Sequence, residues 1–160
     1  MNLRPMSLIA GLMLLLAACA QTPPAGGGAG GGASGAGANQ ITPGSSQDFV
    51  QNVGDRVFFD FDKSVIKAEG QTTLQRQAEW LKKYPNVTVT IEGHCDERGT
   101  REYNLALGER RATAVRNALV ALGIPAARMK TISYGKERPA VLGSNEAAWA
   151  QNRRGVTVIN

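Results

Sequence analysis

At 160 residues the chain has room for one ordinary domain plus extensions. Its 18 Lys and Arg outnumber 13 Asp and Glu, for a formal net charge of +5. Such a balance draws anionic partners (nucleic acid, anionic lipid, a carboxylate-rich polymer) without choosing among them.

The first residues stand apart from that domain. Arg4 is the lone charge before residues 7–18, which are almost wholly apolar. The run is shorter than the about 20 residues of a permanent membrane span. A basic start, a short apolar core and small residues before a cut site describe a secretory signal peptide. Leu16-Ala17-Ala18-Cys19 matches a bacterial lipobox, in which the cysteine becomes the acylated N-terminus. Residues 1–18 are therefore expected to be removed. Cys19 is then expected to seat the protein in outer-membrane lipid, each buried methylene contributing about 0.8 kcal/mol. Ala20 stands where an Asp would favour the inner membrane, so the expected place is the periplasmic face of the outer membrane. Lipidation of Cys19 leaves Cys95 alone, so no intrachain disulfide is available and stability must come from a packed core. Residues 26–38 are only Gly, Ala and Ser, a stretch that cannot offset its ordering entropy by burial. Residues 19–47 thus read as the lipidated cysteine followed by a flexible tether, spanning roughly 30 Å by coil scaling.

The domain itself is expected over residues 48–160. Residues 56–61 read as a strand, with Val57, Phe58, Phe59 and Phe61 supplying its apolar and aromatic side chains. Residues 68–83 predict a helix: Leu74, Ala78 and Leu81 recur at helical spacing, and Tyr84-Pro85-Asn86 stops it. Over residues 87–94, Val87, Val89 and Ile91 alternate with Thr88, Thr90 and Glu92, the pattern of a strand with one wet face. Thr100 is a candidate N-cap for a second helix reaching Leu122. Leu107, Val115, Ala118, Leu119 and Leu122 face inward there, and Gly123 and Pro125 end it. Residues 129–134 read as a third strand, 145–151 as a short helix and 156–159 as a last strand. The expected fold class is α/β, a two-layer sandwich in β-α-β-α-β(-α-β) order with helices packed on a mixed sheet.

Between the second strand and second helix lies the polar, glycine-bracketed turn Gly93-His94-Cys95-Asp96-Glu97-Arg98-Gly99. Asn104, Leu107 and Arg111 follow on one helical face, which can come to lie under Asp96. An Asp and an Arg lining one pocket suit a zwitterionic ligand, the carboxylate taking an ammonium and the guanidinium a carboxylate. The same pair equally suits a structural Asp96–Arg111 ion pair joining turn to helix.

The run from Ile91 to Thr100, then Glu102-Tyr103-Asn104 and Leu107-Gly108-Glu109-Arg110-Arg111-Ala112, resembles the OmpA-like peptidoglycan-binding domain family. More narrowly it resembles that family's peptidoglycan-associated lipoproteins. Phe59-Asp60-Phe61-Asp62-Lys63, Ser133-Tyr134-Gly135-Lys136-Glu137-Arg138-Pro139 and Asn152-Arg153-Arg154 match further blocks in order, over about residues 55–160. The resemblance implies non-covalent binding of the peptidoglycan stem. Asp96 and Arg111 would hold the free end of meso-diaminopimelate, and Phe61 and Asp62 would line the pocket, Asp62 largely through its backbone. Asn104 and Leu107 would form the helical wall, with Arg154 nearby. It further implies partnership with TolB and other Tol components, in cell division and envelope integrity, and no cofactor. Family members usually carry a small residue at position 95, and Cys95 departs from that. Alternation places it inward, as a small hydrophobe.

Two rival readings are weaker. A wall-modifying enzyme of the periplasm using Cys and His would need Cys95 within reach of an imidazole. The one imidazole belongs to His94, whose strand neighbour points to the opposite face. A zinc site would need at least one carboxylate ligand, since only one His and one available Cys exist. A nucleic-acid binder is suggested by Arg98, Arg101, Arg110, Arg111 and Arg116. Glu97, Glu102 and Glu109 interrupt that stripe, and export argues against it, so no nucleic-acid partner is expected.

Overall fold

A computed structural model describes residues 41–160. The expected signal peptide, the expected lipidation site Cys19 and most of the expected tether lie outside the described residues. A short helix α1 (Ser46–Asp48) runs into a π turn (Phe49–Val53). Then come β1 (Arg56–Phe58), α2 (Ala68–Lys83), β2 (Val89–His94), α3 (Arg101–Ala121), β3 (Met129–Gly135), α4 (Glu146–Asn152) and β4 (Arg154–Ile159). The sheet order is β1-β4-β2-β3. β2 and β3 run parallel on either side of the α3 crossover, while β4 is antiparallel to both β1 and β2. The expected mixed α/β sandwich is the one found.

The core lies between α2 and α3 and the inner face of the sheet, where Val57, Leu74, Leu81, Ile91, Val115 and Leu119 are buried together. α3 begins as its sequence requires: the Thr100 hydroxyl accepts from the Tyr103 N–H at 3.2 Å. Leu107, Val115 and Leu119 are buried on it, and Ala118 and Leu122 pack partly buried against the same core. The buried stripe also includes Asn104 and Arg111, two polar residues that the pocket uses.

The N-terminal turn was not among the expected elements. Ser45 caps it by accepting from Asp48 N–H at 3.1 Å, and Asp48 in turn accepts from Gly44 N–H and Trp80 Nε1, each at 2.9 Å. Phe49 then packs edge-on against Trp80, ring centroids 4.9 Å apart. The Ser45-Ser46-Gln47-Asp48 spacing is the legible signal for it, a serine followed three residues later by an acid. β1 is shorter than expected. After Phe58 the chain leaves the sheet, and Lys63 N–H closes a turn on Asp60 O at 3.2 Å, with Asp62 in the left-handed region at φ 56°. Strand propensity loses here because the carbonyls of Asp60 and Lys63 are bound by Arg111.

What lets α3 lie so close to β2 is an absence of side chains. A Cβ on Gly93 would collide with the backbone carbonyl of Gly108, and one on Gly108 with Ser133 Oγ and Gly93 O. Backbone cannot swing aside as a flexible side chain can. Gly93→Ala should therefore cost about 3 kcal/mol or more, at the upper end of overpacking substitutions. Urea midpoints of the two proteins check this, and a loss under about 1 kcal/mol would show that the helix can lift without penalty.

Candidate functional site

The loop after β1, the turn after β2 and the first half of α3 enclose a cavity of about 130 Å³. Phe61, Asp62, Asp96, Asn104, Leu107 and Arg111 all line it, so these sequence-derived residues meet in one place. Arg154 does not. It starts β4 and donates to the carbonyls of Asn152 and Arg138, at 3.4 and 3.2 Å. Its neighbour Arg153 lines the cavity instead, since consecutive residues entering a strand point to opposite sides.

Arg111 is buried at the wall of the cavity. Its Nε donates to Lys63 O at 2.8 Å, Nη1 to His94 O at 2.7 Å and Nη2 to Asp60 O at 3.1 Å. Burial lowers its pKa from the ordinary value, but guanidinium stays charged in proteins. Three of its five N–H groups are spent on backbone, which leaves two uncommitted.

Asp96 is not paired with Arg111. Its Oδ2 takes Arg98 Nη2 at 2.6 Å and Arg153 Nη1 at 3.2 Å. Burial works against the ionised form, yet the hydrogen bonds from Arg98 and Arg153 outweigh it and hold the carboxyl below its usual range. The cavity thus presents an ionised carboxylate and a separate guanidinium. Neither neutralises the other.

Besides Arg153, sequence reasoning missed three participants. Arg98 lies between the rings of Phe61 and Trp149, its guanidinium carbon 4.0 and 4.1 Å from their centroids. The Asp96-Glu97-Arg98 run held a signal for this, because an Asp in a turn commonly accepts from the N–H two residues on, here at 3.2 Å. Tyr103 donates its hydroxyl to Asp62 Oδ1 across the cavity mouth. Trp149 arrives from α4, and nothing local predicts that contact.

Cys95 is buried, as alternation requires, and its thiol donates to Asn104 O at 3.4 Å. Burial pushes the thiol pKa up, the reverse of what a nucleophile needs. His94 leaves β2 on the other side, Nε2 at 3.3 Å from Glu92 Oε2 and its ring 5.5 Å from that of Tyr134. The expected wet face is covered at this point, where Tyr134 and Arg138 stack 3.7 Å apart. Among the described residues no group of three His, Cys, Asp or Glu side chains could hold a metal ion.

A mixed sheet with two helices on one face and a pocket at the β2–α3 turn defines an OmpA-like domain. The OmpA family profile matches residues 58–153, and the chain belongs to that family. Its curated relatives narrow this to the peptidoglycan-associated lipoproteins. That of Brucella melitensis is 61% identical over 126 residues, covering 79% of this chain and 75% of the relative. That of Agrobacterium fabrum is 63% identical over 123 residues, covering 77% and 70%. The crystal structure of the peptidoglycan-associated lipoprotein from Burkholderia pseudomallei superposes with a TM-score of 0.65 at 50% identity, over 66% of this chain and 90% of that one. The C-terminal domain of Helicobacter pylori MotB, at 20% identity and a TM-score of 0.62, shares the fold.

Two predictions follow from the geometry of Arg111 and His94. Arg111→Ala leaves three inward carbonyls without their donor and should destabilise by at least about 3 kcal/mol. Arg111→Lys should recover less than half of it, because one ammonium cannot reach three diverging acceptors. Chemical denaturation of both variants measures this. For His94, burial first and the charges of Arg154, Arg138 and Arg56 second lower the pKa to about 4. An unfolded imidazole titrates near 6.5, so between pH 6.5 and 4 the unfolded chain binds the extra proton. Stability should be complete above pH 6.5 and fall by up to about 3 kcal/mol as pH drops through 4. His94→Gln should flatten that slope in a pH series of melting curves.

Proposed function

We propose that the protein is an outer-membrane lipoprotein that binds the peptidoglycan wall non-covalently, through the meso-diaminopimelate end of the peptide stem. The observation that carries this reading is the joint presence of Asp96 and Arg111 on one small cavity, each bonded to other groups rather than to its counterpart. The ligand's free end is an amino-acid zwitterion. Its ammonium goes to Asp96, and its carboxylate takes the N–H groups that Arg111 keeps free of backbone. Phe61 and Leu107 supply apolar walls for the methylene chain, and Asp62 lines the same cavity, where the family resemblance assigns it a largely backbone role. Arg111 therefore serves twice: the carbonyls that rigidify it also aim it. No covalent step is involved, so attachment stays reversible.

Cys19 with its lipobox supplies the membrane end, and residues 20–47 supply a tether between lipid and wall. TolB and the other Tol components are proposed as partners, with a role in division and envelope integrity, on the family resemblance alone. The relatives from Brucella melitensis and Agrobacterium fabrum, both peptidoglycan-associated lipoproteins, support the wall-binding part of the reading.

The test is ligand choice. A lysine stem offers the same ammonium but lacks the carboxylate on that carbon. Losing one charge-assisted hydrogen bond costs roughly 1.5 to 3 kcal/mol. Lysine-type muropeptide should therefore bind at least about tenfold more weakly than the diaminopimelate type. Asp96→Asn should weaken both. Calorimetric titration of the full chain in detergent decides it, and equal affinities for the two muropeptides would overturn the assignment. Cys95→Ala should leave both affinities within about twofold and cost about 1 kcal/mol of stability. Cys19→Ala should no longer incorporate labelled palmitate; continued labelling would remove the anchor from the reading.

A further inference from the structure

A carboxylate offers about four lone-pair sites, and the fold fills all four on Asp96. Oδ1 accepts from the backbone N–H and from Nε of Arg98, each at 3.2 Å. Oδ2 accepts from Arg98 Nη2 at 2.6 Å and from Arg153 Nη1 at 3.2 Å. An ammonium arriving at this carboxylate has to displace a donor. Two of the four are held in place. The backbone N–H belongs to the turn, and Arg153 is 8% exposed and bound as well to Phe59 O and Glu146. The other two donors both come from the Arg98 side chain, which is 32% exposed.

The surroundings of Arg98 fit a movable group. Its guanidinium lies in a slot between Phe61 and Trp149, and Phe61 is itself 55% exposed at the mouth of the cavity. Attraction to a ring face has no single bonding direction, so a planar cation can shift along such a slot and stay stacked. Nε and Nη2 sit on different oxygens of Asp96, and their departure releases one acceptor on each.

We propose that the Arg98 guanidinium is an internal stand-in for the ligand's ammonium, closing the pocket by holding Asp96 and leaving by exchange when a cationic group arrives. This rests on the reading of the pocket as the site of a zwitterionic stem. The exchange trades two charged hydrogen bonds for those of the ammonium, so the ammonium by itself gains little. Net affinity then comes from the carboxylate on Arg111, and ligands without a cation cannot open the site. Arg98 thereby sets both the selectivity for a charged amine and the reversibility of the grip.

The experiment titrates wild type and Arg98→Met, as full chains in detergent, with a soluble diaminopimelate muropeptide. Methionine fills the aromatic slot but cannot hold Asp96. If the closed arrangement predominates about tenfold, removing it should tighten binding about tenfold. In the wild type, the indole N–H resonance of Trp149, which donates to Glu97, should move on saturation. That of Trp80, which donates to Asp48 on the far side of the core, should stay. Equal or weaker binding by a folded Arg98→Met would overturn the exchange, as would an unmoved Trp149 at saturation. Should the variant fail to fold, the Trp149 resonance decides alone. A wild type that does not bind the muropeptide at all would instead sink the pocket assignment, and the exchange with it.

Discussion

Burying a guanidinium takes it from water at a cost of several kcal/mol, and a fold tolerates it only when its donors are met. Around Arg111 the donors meet the carbonyls of Asp60, Lys63 and His94, which belong to the loop after β1 and to the end of β2. Those two segments and α3 are the three walls of the pocket. Phe61 and Asp62 stand where they do because the residues on either side are bonded to Arg111, and Asp96 because the turn begins from a pinned His94. Arg128 repeats the device at another corner, donating to Leu81, Tyr84 and Val87 carbonyls and so closing the α2–β2 connection. Part of the chain's basic surplus is thus internal scaffolding. That weakens the picture of a basic surface stripe further, since Arg111 was one of its five members.

The electrostatics of the pocket follow from that arrangement. A lone Asp beside a lone Arg would collapse into a pair. Here Arg111 is committed to backbone and Asp96 to Arg98 and Arg153, so both charges persist side by side at the cavity wall. Glu146 holds the other end of the Arg153 guanidinium at 2.6 Å, which fixes it in place against Asp96. Separation of opposite charges is what a zwitterion requires.

Local pattern told most about the long elements. The bounds of α2, the Thr100 cap of α3 and the inward set on both were legible because helical periodicity and capping are properties of neighbouring residues. The pocket residues on one α3 face were legible for the same reason, as i, i+3 and i+7 positions. What escaped depends on contacts between distant segments. β1 stops at Phe58 because Arg111, some fifty residues on, binds the carbonyls that follow. Trp149 reaches Arg98 from α4, and Arg153 rather than Arg154 enters the cavity because β4 starts in one phase of its alternation and not the other. A shift of one residue in register is invisible to composition.

The strand order has a consequence in time. β4 is formed from residues 154–159, yet it sits between β1 and β2 and bonds to both. A chain delivered from its N-terminal end cannot complete the sheet until those residues have emerged. Before then β1 and β2 lack their common neighbour, and Asp96 lacks Arg153. Long-range pairing of this kind is slow to nucleate, because loop closure must precede any gain from contact. The nascent chain is thereby held loose until its last strand is free.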